Sequence, residues 1–110
     1  MVQSKTELFE RELVEKAAIF KALAHPARLR ILQFLAKTRS CITGSIADEI
    51  PLGRTTVNQH LKELKKCDLI QGNIQGVKTN YCLNPEKIGE LQILFQSYFE
   101  SLNVDNYKCS

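Results

Sequence analysis

Pro51-Leu52-Gly53 cuts an otherwise helical stretch in two. Proline lacks the N–H that a helix interior needs, and its ring clashes with the preceding turn, so a helix arriving from residue 42 must stop at Ile50. Gly53 permits a sharp turn. Two short amphipathic patterns flank this break. Over residues 42–50, Ile46, Ala47 and Ile50 form the apolar side, with Ile42 as a leading anchor. Over residues 54–67 the apolar side is Val57, Leu61 and Leu64. Two strand-like runs follow, Leu69 to Ile74 and Lys78 to Leu83, and Gln75-Gly76-Val77 between them is a hairpin signal.

The rest of the chain is helical in pattern. Phe9, Leu13, Ala17 and Phe20 recur at spacings of four, four and three, which predicts a helix over residues 6–22. His25-Pro26 opens a second helix to about Ala36, with Leu29, Leu32 and Leu35 inward; proline suits a first helical turn, and His25 beside it reads as a helix start. Arg28 and Arg30 are expected to pair with nearby acids such as Glu12 or Glu15. Pro85 opens a last helix to Leu102 with a wide stripe of Ile88, Leu91, Phe95, Tyr98, Phe99 and Leu102. The fold class is therefore mostly α with a small β-hairpin: five helices and a two-stranded wing, the layout of a winged helix-turn-helix. With 110 residues the chain is expected to be one domain, 1–110, with residues 1–5 and 104–110 as loose tails.

Several classes of function drop out. No apolar run approaches the roughly 18 residues of a membrane helix, and Met1 to Phe9 has no secretory apolar region, so a cytoplasmic location is expected. No Ser-His-Asp set, Cys-His pair or phosphate-cradling glycine loop is present. No catalytic residue, cofactor or metal is assigned, and the chain reads as a non-enzyme. Cys41, Cys67, Cys82 and Cys109 show no disulfide framework or zinc spacing, so reduced thiols are expected. Cys41, Cys82 and Cys109 are the candidates for a thiol sensor that oxidises reversibly; their plain alternative is small apolar filler.

Charge points to a polyanion. Between Arg54 and Lys78 five basic residues face two acidic ones, an excess of +3 that equals the net charge of the whole chain. A local basic stripe is the footprint of a phosphate-binding surface. At 100° per residue, Thr55, Gln59, Lys62 and Lys66 turn away from Val57, Leu61 and Leu64, with Asn58 beside them and His60 near the core edge. Thr55, Asn58 and Gln59 are the candidates for base edges, since Asn and Gln match the paired donor and acceptor of adenine and a Thr methyl suits thymine. Arg54 and Lys62 suit phosphates, Lys78 the backbone or minor groove beside the wing, and Thr56 supports the turn. His60 has two readings, contact with DNA or helix packing. Lys65 and Lys66 can simply solvate the helix end.

The first and last helices are each apolar along one side, more than a three-helix core can cover. They are expected to pack as a homodimer across a two-fold axis through Phe9, Leu13, Phe20, Leu91, Phe95, Tyr98, Phe99 and Leu102. Such a dimer would set two reading helices on the order of 34 Å apart, one DNA turn, and so select a near-palindromic operator in double-stranded DNA. The rival class is a protein-interaction module that uses the same fold without DNA.

These residues resemble the ArsR/SmtB family of winged-helix repressors. Lys21-Ala22-Leu23-Ala24-His25-Pro26-Ala27-Arg28-Leu29-Arg30-Ile31-Leu32 is similar to the family's opening "LADPTRLRIL". Thr55-Thr56-Val57-Asn58-Gln59-His60-Leu61-Lys62-Glu63-Leu64 is similar to its recognition helix, "STVSQHLKVL", and Cys67-Asp68-Leu69-Ile70 with Gly76 and Tyr81 is similar to its wing. The resemblance spans residues 18–102. It implies a homodimer built on the end helices, a DNA-proximal His60, and repression relieved by an inducer, commonly a metal or metalloid ion and sometimes a thiol oxidant. The inducer itself stays open. The family's soft-metal sensors carry Cys-x-Cys at the start of the third helix, whereas Cys41-Ile42-Thr43 keeps only the first sulfur. A single thiolate cannot close such a site. No histidine follows His60, so the last-helix metal site of the zinc and nickel sensors is not expected either.

Overall fold

The computed structural model describes residues 9–38, 42–43, 46, 50–75 and 78–109, with the backbone alone for residues 42, 43, 73–75, 78 and 79. Among them are four α-helices and three strands: α1 (Arg11–Leu23), α2 (Pro26–Thr38), β1 (Ile42–Thr43), α3 (Arg54–Lys66), β2 (Ile70–Gln75), β3 (Lys78–Leu83) and α4 (Pro85–Ser101). The strands form one antiparallel sheet in the order β1-β3-β2.

Five helices were expected and four are found. The difference lies over residues 42–50, where Ile42 and Thr43 pair with Tyr81 and Asn80 as an edge strand. Both residues are β-branched and suit a pleated strand better than a helix start. Residues 44–45 and 47–49, and with them Ala47, fall outside the described residues, as do Cys41, the Gly76 tip and the start of the first helix at Thr6. The buried row of α2 is also shifted. Ala27, Ile31 and Leu35, four apart, face the core, while Leu29 is 49% exposed and Leu32 half-buried. Gly53 sits at ordinary extended angles (φ −65°, ψ 153°), so the turn at Pro51 does not use glycine's freedom. Instead Leu52 N–H closes it on the carbonyl of Ile50 at 2.7 Å.

Where sequence signals and end chemistry agree, the elements fit closely. His25 caps α2, its Nδ1 accepting from the N–H of Ala27 at 3.0 Å. Asn84 caps α4 through Lys87 N–H, and Pro85 fills the first turn. Helix α3 ends in a left-handed residue, Asp68 (φ 60°). Asp68 N–H bonds to the carbonyl of Lys65 and Leu69 N–H to that of Leu64, and both leucines are fully buried. That double closure with its apolar contact is a Schellman end built on aspartate instead of glycine.

One core unites the elements: Ile31, Leu35, Ile46, Ile50, Val57, Leu61, Leu64, Leu69, Ile70, Tyr81 and Leu91. Each large aliphatic among them is worth roughly 1.5–3 kcal/mol of transfer energy. Gly72 pairs with Tyr81 and holds φ at +149°. A Cβ there would lie 1.9 Å from the carbonyl oxygen of Asn80. The wing strands can therefore meet closely only with glycine at this position. Residues 103–109 carry a turn, Tyr107 N–H to the carbonyl of Val104, with Asn106 at φ 63°.

Candidate nucleic-acid interface

Helix α3 is divided lengthwise. Val57, His60, Leu61 and Leu64 face the core, while Arg54, Thr55, Thr56, Asn58, Gln59 and Lys62 are exposed. The buried row explains the exposed one: three aliphatic anchors at spacings of four and three fix the helix's rotation, so Arg54, Thr55, Asn58, Gln59 and Lys62 point outward. The exposed face carries Arg54 and Lys62 around a hydroxyl and amide centre, with no acidic residue until Glu63. Glu63 is held by Lys66 at 3.3 Å.

His60 and Lys65 of this helix stand apart from its exposed face, and of the two readings of His60 the packing one holds. His60 is only 8% exposed and turns inward. Its Nδ1 accepts from Arg28 Nε at 3.1 Å. Arg28 thus pairs with His60 and with the carbonyl of Ala22 rather than with Glu12 or Glu15; Glu15 is taken by Arg11 at 3.2 Å. Lys65 is bound to the wing, its Nζ donating to the carbonyl of Gly72 at 2.7 Å. Lys78 has its backbone paired with Gln75 at the base of the wing; its side chain lies outside the described residues.

The end helices meet within the chain. Phe20 of α1 stacks on Phe95 of α4 at 5.0 Å and meets the edge of Tyr98 at 5.6 Å. Leu91, expected at a subunit interface, is 5% exposed and belongs to the core, because α4 lies directly over it. Outside remain Phe9 (62% exposed), Leu13, Phe99 (65%) and Leu102, joined by Ile93 (69%), which the stripe reading missed. Along α1, Phe9, Leu13, Val14, Ala17, Ala18 and Lys21 line an apolar groove. Among the cysteines, Cys67 and the exposed Cys109 are free thiols. Cys82 on β3 belongs to a disulfide, against the expectation of reduced thiols. No group of three metal-ligating side chains occurs among the described residues, and no helix there is long and apolar enough to cross a membrane.

An outward polar helix, anchored by its apolar face and flanked by an antiparallel wing, defines the winged helix-turn-helix transcriptional regulators. Residues 23–72 match the family model described as a helix-turn-helix domain. The chain is 36% identical over 81 residues to the HTH-type transcriptional regulator MJ1325 of Methanocaldococcus jannaschii, covering 73% of this chain and 91% of that one. It is 32% identical to the transcriptional repressor PagR of Bacillus anthracis, over 69% of this chain and 76% of the other. Among solved structures it superposes on the homodimeric winged helix-turn-helix DNA-binding domain Mb0332 of Mycobacterium bovis, with a TM-score of 0.62, 25% identity and coverage of 100% and 98%. The chain belongs to the ArsR/SmtB family of winged helix-turn-helix transcriptional regulators.

Proposed function

We propose that this regulator is a homodimeric repressor that reads a near-palindromic operator with the exposed face of α3. Thr55, Asn58 and Gln59 contact base edges; Arg54 and Lys62 grip phosphates; Thr56 supports the entry of the helix; and Lys78 lies along the backbone beside the wing. The single observation that carries the reading is the lengthwise division of α3, three aliphatics inward and a cation-flanked amide and hydroxyl face outward. The outward residues Phe9, Leu13, Phe99 and Leu102, with Phe20, Phe95 and Tyr98 as their support, supply the dimer surface. Mb0332 is homodimeric and PagR is a repressor, which agrees with both halves of the proposal.

Selection of preferred sites from random duplexes tests it. Two inverted half-sites about one helical turn apart are expected. Affinity for the selected duplex should fall steeply with salt, with a log–log slope of about −0.9 per neutralised phosphate. Recovery of no preferred sequence, or a flat salt response, contradicts the reading and favours the rival, a protein-interaction module.

The disulfide at Cys82 favours a second reading, in which repression responds to a thiol oxidant. Two thiols would give up two electrons and two protons to an oxidant such as a peroxide and form one S–S bond. Duplex release on mild oxidation, absent in Cys82→Ser and in Cys41→Ser, is expected. Binding that is indifferent to oxidant removes the idea.

A further inference from the structure

Two imidazoles and one guanidinium converge where α1, α2 and α3 meet. Arg28, in the first turn of α2, donates from Nη1 to the carbonyl of Ala22 in the last turn of α1 at 3.0 Å and from Nε to Nδ1 of His60 at 3.1 Å. The His25 ring lies 4.3 Å from the His60 ring, tilted by 52°. His60 is buried, and its Nε2 has no hydrogen-bond partner among the described residues.

The hydrogen bond fixes the chemistry of His60. A guanidinium can only donate, so the Nδ1 facing it must carry a lone pair, and neutral His60 keeps its proton on Nε2. A second proton can go only to Nδ1, which would replace the hydrogen bond by two facing donors. The groups around the ring resist that proton. Arg28 and His25 face it from α2 and the α1–α2 corner, and on its own helix Lys62, Glu63 and Lys66 line the same cleft with Gln59. Glu63 is the one anion among the described residues of that cleft, and Lys66 holds it. Burial first, then His25 and Arg28, push the pKa of His60 below its ordinary 6.5. A metal ion would meet the same guanidinium, and the Nδ1 atoms of both histidines already accept N–H groups.

We propose that Arg28 and His60 form a proton-released clasp: neutral His60 lets Arg28 hold the reading helix against the corner of α1 and α2, and a proton on His60 frees the helix and weakens DNA binding. Arg28 is here a positioning residue, joining the end of an outward-facing helix to the middle of the DNA-reading one. The inference rests on the DNA reading of α3 and deepens it with a form of regulation. Its sign is distinctive. A histidine touching phosphate binds DNA more tightly when protonated, because the added charge attracts the polyanion. The clasp requires the reverse.

The test has an arm without DNA. Nitrogen-15 NMR of the imidazoles in the full chain should show, at about pH 7.5, a His60 bare at Nδ1 and protonated at Nε2. On acidification the amide signals of residues 55–66 should shift with the same midpoint as the His60 ring. In the second arm, affinity for a labelled duplex recovered by site selection is measured at constant ionic strength at about pH 7.5 and about pH 5.5, either side of the ordinary imidazole value. It should fall by about fivefold or more, the lower range of a coupling between sites. His60→Asn, which offers an acceptor near the place of Nδ1 but takes no proton, should shrink that ratio, and circular dichroism confirms that the variant folds. A proton on Nδ1 at the higher pH, α3 amides that ignore the His60 titration, or tighter binding on acidification overturns the clasp. Failure to bind any duplex at either pH, with the NMR arm as expected, refutes the DNA reading instead.

Discussion

The Nζ of Lys65 donates to the main-chain carbonyl of Gly72 at 2.7 Å, joining the last turn of α3 to the first half of the wing. The bond ties the wing to α3, and it separates Lys65 from Lys62, which stands exposed on the outer face of the same helix. Lys65→Met should therefore cost roughly 0.5–1.5 kcal/mol in urea unfolding, the worth of one hydrogen bond, and leave the salt slope of duplex binding unchanged. Lys62→Met should do the opposite, keeping stability within about 0.5 kcal/mol while lowering the slope by about 0.9 for each of the two copies in the proposed dimer. A Lys65 variant that loses slope and keeps stability would place that ammonium on DNA.

Gly72 is the wing's fixed point. A methyl group there would overlap the carbonyl of Asn80 on the neighbouring strand, and the backbone angle is one that L side chains avoid. Strain of about 1–3 kcal/mol and overpacking of a similar size both count against Gly72→Ala. Chemical denaturation should show a loss of at least about 2 kcal/mol. A loss under 0.5 kcal/mol would mean that β2 and β3 separate at little cost.

Gln59 is exposed on the outer face of α3, one helical turn beyond Thr55. Gln59→Ala should weaken binding to the selected duplex by about 1–3 kcal/mol per half-site and relax one base position in each. Anisotropy titrations against the selected duplex and a scrambled one separate the roles. An equal loss on both would make Gln59 a backbone contact.

Much of this was legible in the sequence because pattern and packing agree there. The spacing of Val57, Leu61 and Leu64 dictates the rotation of α3, and with it the exposure of Thr55, Asn58, Gln59 and Lys62. Pro85 and the alternation after Lys78 located the start of α4 and strand β3. What stayed hidden depends on partners far apart in the chain. Ile42 and Thr43 become strand only because Tyr81 and Asn80 lie beside them. His60 turns inward because Arg28, 32 residues earlier, offers it a donor. A helical wheel places His60 at the core edge but cannot supply that neighbour. Gly72 looked like an ordinary strand interior, and its role follows from the strand it touches.

The depressed pKa of His60 makes stability depend on pH. Its folded value lies below the unfolded value of about 6.5, so the unfolded chain takes up this proton first as pH falls. The contribution is complete above about pH 6.5 and is lost progressively from there down through the lower folded value. The urea midpoint should therefore be lower at about pH 5.5 than at about pH 7.5, and His60→Asn should narrow the gap. A midpoint that rises on acidification would require an imidazole stabilised by its charge, contrary to its burial beside Arg28.

Phe99 is the sharpest probe of the proposed dimer. It is 65% exposed and meets its own chain through the edge of Tyr98, so its loss should leave the protomer core intact. In a two-fold interface each residue acts twice. Burying both copies at roughly 1.5–3 kcal/mol per side chain would contribute about 3–6 kcal/mol to association. Phe99→Glu removes that gain and puts a carboxylate where the proposed interface excludes water, so light scattering should report a monomer while circular dichroism shows unchanged helical content. Affinity for a palindromic duplex should collapse toward that for a single half-site, because two reading helices no longer bind as one unit. A Phe99→Glu protein that remains dimeric at micromolar concentration would move the interface off this face of α4 and leave Phe9, Leu13 and the α1 groove to account for it alone.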